Sequence, residues 1–360
     1  MSIKVLLCER DLTGHRKAYL DGLCEMQDIE FFVFVPNKKE ELNNHSYFFN
    51  TNKENTFVEY CLWIKKIREI VEKEKIDIVH ILDGDGIMRY FGLFMNFIRC
   101  KKIIITFHHF FKGFIRKISY KLMYFGKSKM FVVHTENFKK ELEKNGITNV
   151  SVCNYPSFGY ESICQLSNKE CKIYYGLDTN DPIIGIVGGL NKYKNIIKFL
   201  EVLNHCDKDF YLLIFGKPND VSSDEIERAI HGYKKKTKTI YRTLTDEEYY
   251  KAIVASDIVY SVYGLDFDGA SGPLIDGVCA RKMILASSHG SLGDVVSSNH
   301  LGLTADVSKN EDVLGKTNKA IDLAKGFCYD DSAENYRQLI QPKLFINTYR
   351  NIYLNCVQKE

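Results

Sequence analysis

Short apolar runs alternate with helical patterns along this chain, and the alternation occurs twice. In the first half Ile3–Cys8, Glu30–Val35, Ile76–Ile81, Lys102–Phe107, Met130–His134 and Val150–Asn154 are rich in Val, Ile and Phe. Several are apolar throughout rather than on alternate residues, as in parallel strands covered on both faces. Between them Glu59–Lys75 and Glu136–Asn145 carry helical spacing, the second stopped by Gly146. The second half repeats the scheme with strands at Ile183–Val187, Tyr211–Phe215, Thr239–Tyr241, Ile258–Val262 and Met283–Ala286. Its helices fall at Lys194–Leu203, Asp224–Lys235, Asp246–Ala255 and Leu274–Ala280. Repeated strand–helix units predict an α/β protein with two doubly wound parallel sheets, each Rossmann-like, facing a cleft. Ligand sites are expected at the carboxyl ends of the strands.

Length agrees with this reading, because 360 residues are too many for one core of ordinary size. The polar, turn-prone segments Ser167–Glu170 and Asp178–Asp181 place the boundary between Pro156 and Pro182. The expected division is 1–165, 166–332 and a helical tail, 333–360, broken near Pro342 and packing back on the first domain. A net charge of +3 gives no case for a nucleic-acid partner. The eleven cysteines are scattered, with no C-x-x-C pair and no zinc spacing. The apolar run at the start is shorter than a signal peptide's, and no stretch reaches the ~18 to 20 apolar residues of a membrane span. A cytoplasmic protein is expected.

The segment Asp268-Gly269-Ala270-Ser271-Gly272-Pro273-Leu274-Ile275-Asp276 carries the most chemistry. Pro273 suits the first turn of a helix capped by Ser271 or Gly272. The amides of Ser271 and Gly272 then stand at a positive helix end, which suits a diphosphate. Asp268 lies in the loop before and Asp276 one turn inside, so both can face one ligand.

This segment resembles the E-G-F-G-L-P-x-L-E signature of the retaining glycosyltransferases of family four, with Asp for both acids, Ala270 at the aromatic position and Ser271 at the next glycine. Tyr249–Ser261 before it and Met283–Val296 after it are similar to the family's flanking segments in the same register. Gly188-Gly189-Leu190-Asn191-Lys192-Tyr193-Lys194 resembles its V-G-R-L-x-x-x-K-G loop, with Lys194 on the lysine and Gly189 in place of the arginine; Lys192 is the candidate replacement cation. Asp11-Leu12-Thr13-Gly14-His15 looks like the family's glycine loop, and Thr106-Phe107-His108 like the segment whose histidine contacts the transferred sugar. His109 is a neighbour open to the same role.

The resemblance implies the GT-B architecture and transfer of a hexose-type sugar, with retention, from a nucleotide diphosphate sugar. Asp276 would bind ribose hydroxyls and Asp268 the donor sugar. Lys194, with the amides near Ser271 and Gly272, would stabilise the leaving diphosphate. Gly14, Gly188, Gly189 and Lys192 would line the donor phosphates, and His108 would touch the sugar. It also implies a glycan or lipid-linked acceptor, a role in bacterial surface polysaccharide synthesis, and no cofactor or metal. Asp83-Gly84-Asp85 and Asp266-Phe267-Asp268 spell D-x-D and are read as loop residues. A nucleotide-sugar 2-epimerase and a catalytically silent nucleotide-sugar-binding partner are the rival functions. The basic, aromatic segment Phe110–Tyr124 puts Phe111, Ile115, Ile118 and Leu122 on one helical stripe. That stripe either lies on an anionic membrane surface, making the protein peripheral, or packs inward on its own domain.

Overall fold

The computed structural model describes residues 2–12, 15–36, 45–49, 56–126, 128–177, 180–230 and 236–358. Among the described residues thirteen strands form two sheets. The first contains β1 (Ile3–Cys8), β2 (Ile29–Pro36), β3 (Ser46–Phe49), β4 (Ile78–Ile81), β5 (Lys102–Thr106), β6 (Lys129–Val133) and β7 (Val150–Val152). The second contains β8 (Ile183–Val187), β9 (Tyr211–Phe215), β10 (Thr237–Ile240), β11 (Ile258–Ser261), β12 (Met283–Ser287) and β13 (Gly302–Ala305). Their orders are β3-β2-β1-β4-β5-β6-β7 and β10-β9-β8-β11-β12-β13. Every pairing is parallel.

Strand order reverses beside the first strand of each sheet, between β1 and β4 and between β8 and β11. Crossover helices leave in opposite directions there, which opens a crevice beyond the carboxyl ends. Whatever follows Cys8, Ile81, Val187 and Ser261 is therefore placed to meet a ligand.

The chain divides into two compact units, Met1–Phe158 with Pro342–Glu360, and Gly159–Gln341. The break falls ahead of the expected 165, and 333–341 stay with the second unit. Helix Pro342–Gln358 belongs to the first, where Phe345, Tyr349 and Tyr353 are buried in the core on one face of the first sheet. Alternation along β1 divides that core: Val5 and Leu7 point to the face that holds this helix, Leu6 and Cys8 to the other. Three hydrogen bonds fasten the helix, Tyr353 to His80 (2.6 Å), Tyr349 to Thr106 (2.8 Å) and Tyr349 to Tyr19 (2.5 Å), and a fourth, His80 to Thr106 (2.8 Å), links two of those partners on the sheet.

Local signals set the helix ends. Thr56 with Glu59 and Thr245 with Glu248 form capping boxes before Phe57–Glu74 and Asp246–Ala255. Helix Phe114–Tyr124 buries Ser119, Tyr120 and Met123, which leaves Ile115 66% exposed and Phe114, Ile118 and Leu122 also outward. Of the apolar stripe, only Phe111 packs against the core.

Candidate functional site

In the second unit the chain leaves β8 through Gly188, whose φ of +90° suits glycine. A Cβ on Gly216, beyond β9, would stand 1.9 Å from the Gly188 carbonyl, so two glycines let these strand ends come together. The chain then makes a 3-10 turn, Lys192–Lys194. Lys194 folds back beneath it with Nζ donating to the Val187 carbonyl at 3.1 Å and the Tyr263 ring 5.8 Å away. It is 5% exposed, and no carboxylate pairs with it among the described residues. Burial pulls its pKa down to about 8. Lys192 is exposed, its amide bonded to Asp220 at 2.6 Å. At Gly189 a Cβ would meet the Asn219 amide at 3.0 Å, so Asn219 stands where a longer side chain would pass.

Helix Gly272–Cys279 starts as expected, with Ser271 as cap and Pro273 in the first turn. The Ser271 hydroxyl accepts from the Leu274 amide at 3.4 Å and bonds the buried Tyr263 hydroxyl at 2.9 Å. A Cβ on Gly188 would lie 3.5 Å from Lys194 Nζ, 3.6 Å from the Pro273 ring and 3.8 Å from the Tyr249 ring. The loop glycine, the buried lysine and the helix start are thus one neighbourhood. Tyr249 extends it to Asp276, donating to that buried carboxylate at 2.8 Å. Asp268 is anchored elsewhere, accepting from the Ser291 amide (2.8 Å) and hydroxyl (2.9 Å) at the start of helix Gly290–Ser298.

In the first unit the corresponding crevice holds a pocket of about 320 Å³ lined by Arg10, Asp11, Arg16, Asp83, Asp85, Gly86 and His109. Gly14 lies outside the described residues. Glu9, directly after β1 and 1% exposed, accepts from the amides of Arg10 (2.7 Å) and Asp11 (3.1 Å). Arg16 bridges Glu9 at 3.0 Å and Asp83 at 3.2 Å. Burial, and then the Asp83 charge, raise the Glu9 pKa to about 7 against the pull of Arg16. Asp85 accepts from His109 Nδ1 at 2.7 Å and Asp83 pairs with Arg16, and the Asp83-Gly84-Asp85 run caps and opens the short helix Gly84–Ile87 instead of lying in a plain loop.

His108 is held on both sides. Its Nε2 faces the Leu82 carbonyl at 3.0 Å and its Nδ1 faces His134 Nε2 at 3.0 Å, while His134 Nδ1 faces the Cys153 carbonyl at 2.8 Å. Carbonyls only accept, so both outer nitrogens carry hydrogens. Two neutral imidazoles then have none for the contact between them, and a third proton is required to complete it. Burial opposes that proton, pushing His108 well below the usual histidine range and His134 to about 4.

The chain matches known structures over its whole length. The glycosyltransferase of Rickettsia africae ESF-5 is 18% identical with a TM-score of 0.75, covering 100% of both chains. Anabaena HepE, solved in complex with UDP, is 13% identical with a TM-score of 0.73, covering 99% of this chain and 100% of that one. WaaG, a glycosyltransferase involved in lipopolysaccharide biosynthesis, is 11% identical with a TM-score of 0.70, covering 98% and 100%. The fold is GT-B. At these identities the likeness is one of fold. No protein-family model matches the chain, and no curated protein does.

Within this GT-B fold, sequence reasoning missed Tyr249, Tyr263, Glu9, Arg16 and His134. For Glu9 a signal was present, a charge directly beyond an apolar strand; the tyrosines had none, because long-range packing places them. Among the described residues no group of three His, Cys, Asp or Glu could hold a metal ion, and no helix is long and apolar enough to cross a membrane.

Proposed function

We propose that this chain is a glycosyltransferase that moves a hexose from a nucleotide diphosphate sugar to an acceptor hydroxyl, with retention at the anomeric carbon. Lys194 carries the reading. A buried ammonium without a carboxylate is costly, and this one lies beside a positive-φ glycine and a helix start, beyond the strand ends where an α/β sheet takes its ligand. A diphosphate at that place would restore the missing charge balance. As the glycosidic bond breaks, charge grows on the leaving diphosphate, so Lys194 and the Ser271 and Gly272 amides would stabilise the transition state more than the ground state. Asp276, oriented by Tyr249, would accept from the ribose hydroxyls, and Asp268 would hold the donor sugar.

HepE has been solved with UDP and with UDP-glucose, which makes a UDP-hexose the first donor to try. The acceptor we propose is a glycan or lipid-linked sugar of bacterial surface polysaccharide, reached at the inner face of an anionic membrane. The outward apolar stripe of helix Phe114–Tyr124, with Lys112, Arg116, Lys117 and Lys121 around it, supports that contact. Calorimetry with UDP, GDP, ADP and dTDP tests the core of the proposal: one nucleotide should bind wild type, and Asp276→Ala should weaken it by about 1.5 to 3 kcal/mol. Binding of none of them by wild type would end it.

A further inference from the structure

Tyr193 and Phe267 stack with ring centroids 5.0 Å apart and planes 16° from parallel, although they come from different loops, one beyond β8 and one beyond β11. The two loops are also joined by the Gly264 amide donating to the Tyr193 carbonyl at 2.8 Å, and within the second loop the Phe267 amide donates to the Gly264 carbonyl at 3.0 Å. Beneath the pair lies buried Tyr263, edge-on to both rings at 5.9 Å and 5.1 Å. Its hydroxyl is tied to Ser271. Tyr193 is nevertheless 41% exposed, its hydroxyl accepting from the Asn191 amide at 3.0 Å. Core packing does not require an aromatic ring that is fixed from below and open to water.

Its place in the chain suggests what does. Tyr193 immediately precedes Lys194, and Phe267 immediately precedes Asp268. The stacked pair is thus carried by the residues next in the chain to the cation assigned to the diphosphate and to the carboxylate assigned to the sugar, and its buried support Tyr263 lies 5.8 Å from Lys194 Nζ. A pyranose ring shows carbon-bound hydrogens on its faces and hydroxyls around its rim. It is best held by an aromatic surface under one face and a carboxylate at its edge.

We propose that Tyr193 and Phe267 form a platform for the transferred pyranose of the donor, with Tyr263 as its buried support. This rests on the donor reading above and adds the group that recognises the sugar rather than the nucleotide. Contact with an aromatic platform is worth about three- to tenfold in affinity.

The test compares UDP with UDP-glucose, UDP-galactose and UDP-N-acetylglucosamine by calorimetry on wild type, Tyr193→Ala, Phe267→Ala and Tyr193→Phe. Both alanine variants should bind UDP as wild type does, which also shows them to be folded. They should bind the best UDP-sugar three- to tenfold more weakly, and Tyr193→Phe should stay near wild type. Unchanged UDP-sugar affinity in both alanine variants overturns the platform, as does an equal loss for UDP and UDP-sugar. Failure of wild type to bind any nucleotide is a separate result, since it removes the donor reading itself.

Discussion

Arg16 and Lys194 hold comparable places in the two units, each shortly after the first strand of its sheet, where strand order reverses. Their surroundings are opposite. Arg16 lies between Glu9 and Asp83, within 3.2 Å of both. Lys194 meets a backbone carbonyl and an aromatic ring. The first unit has satisfied Arg16 internally, and its pocket sets Asp11, Asp83 and Asp85 beside Arg10, Arg16 and His109. The second leaves Lys194 with no carboxylate partner among the described residues. A shared topology thus supplies two crevices whose charges are arranged differently, and we assign phosphate to the second.

The largest expected effect breaks that contrast at its sharper end. Lys194→Ala should lower turnover of the donor by roughly ten- to a thousandfold with a smaller loss in ground-state affinity, measured by steady-state kinetics against calorimetry. Equal turnover would move the role to another cation. Arg16→Ala should cost stability instead, about 2 kcal/mol in urea unfolding, less than the ~3 to 5 of a fully buried pair because Arg16 is partly exposed. Nucleotide affinity should stay where it was. If Arg16→Ala abolishes nucleotide binding in a folded protein, the division of labour is wrong.

Proton linkage sharpens the same comparison. Burial lowers His80 to about 3 while the unfolded chain titrates near 6.5. The unfolded state therefore binds the proton that the fold refuses, and stability present above pH ~6.5 is lost as pH falls toward about 3. Glu9, raised to about 7, acts in the opposite sense, adding stability at low pH that is lost as pH rises through 7. The His80 contribution is isolated by subtracting the melting profile of His80→Gln from that of wild type. The difference should narrow on acidification from pH 7 to 5; a pH-independent difference would mean that His80 is not held neutral.

The smallest effect per residue is expected at the surface. Lys112, Lys117 and Lys121 are exposed, unlike Lys194, and near an anionic leaflet each contributes about 1 kcal/mol. Anionic vesicles at low salt should sediment wild type and leave the Lys112/Arg116/Lys117/Lys121→Glu variant in solution. If wild type also stays in solution, the exposed stripe serves something other than a membrane.

Much of this was legible in the chain because it depends on neighbours in sequence. Eleven strands follow from runs of Val, Ile and Phe, and helices such as Phe57–Glu74 and Asp246–Ala255 from their spacing, whereas Asn310–Ala324 was not anticipated. The edge strands β3 and β13 escaped, being four residues long and largely half-buried, so neither a long apolar run nor clean alternation marked them. The capped start of helix Gly272–Cys279 was visible from Ser271 and Pro273 alone. What surrounds Lys194 was not.

The sequence by itself determined the repeated strand–helix grammar, the glycine loop beyond β8 and the proline-started helix, since torsional preference and hydrophobic period act over a few residues. Tertiary structure alone decided that Lys194 is buried with no carboxylate partner among the described residues, that Arg16 is paired twice, and that Ile115, Ile118 and Leu122 face outward. It also decided that 333–341 stay with the second unit while the helix from Pro342 joins the first. Each of these is a matter of desolvation and of charge met across the chain. A lysine's spacing in sequence is the same whether water or a carbonyl surrounds it, and only packing determines which.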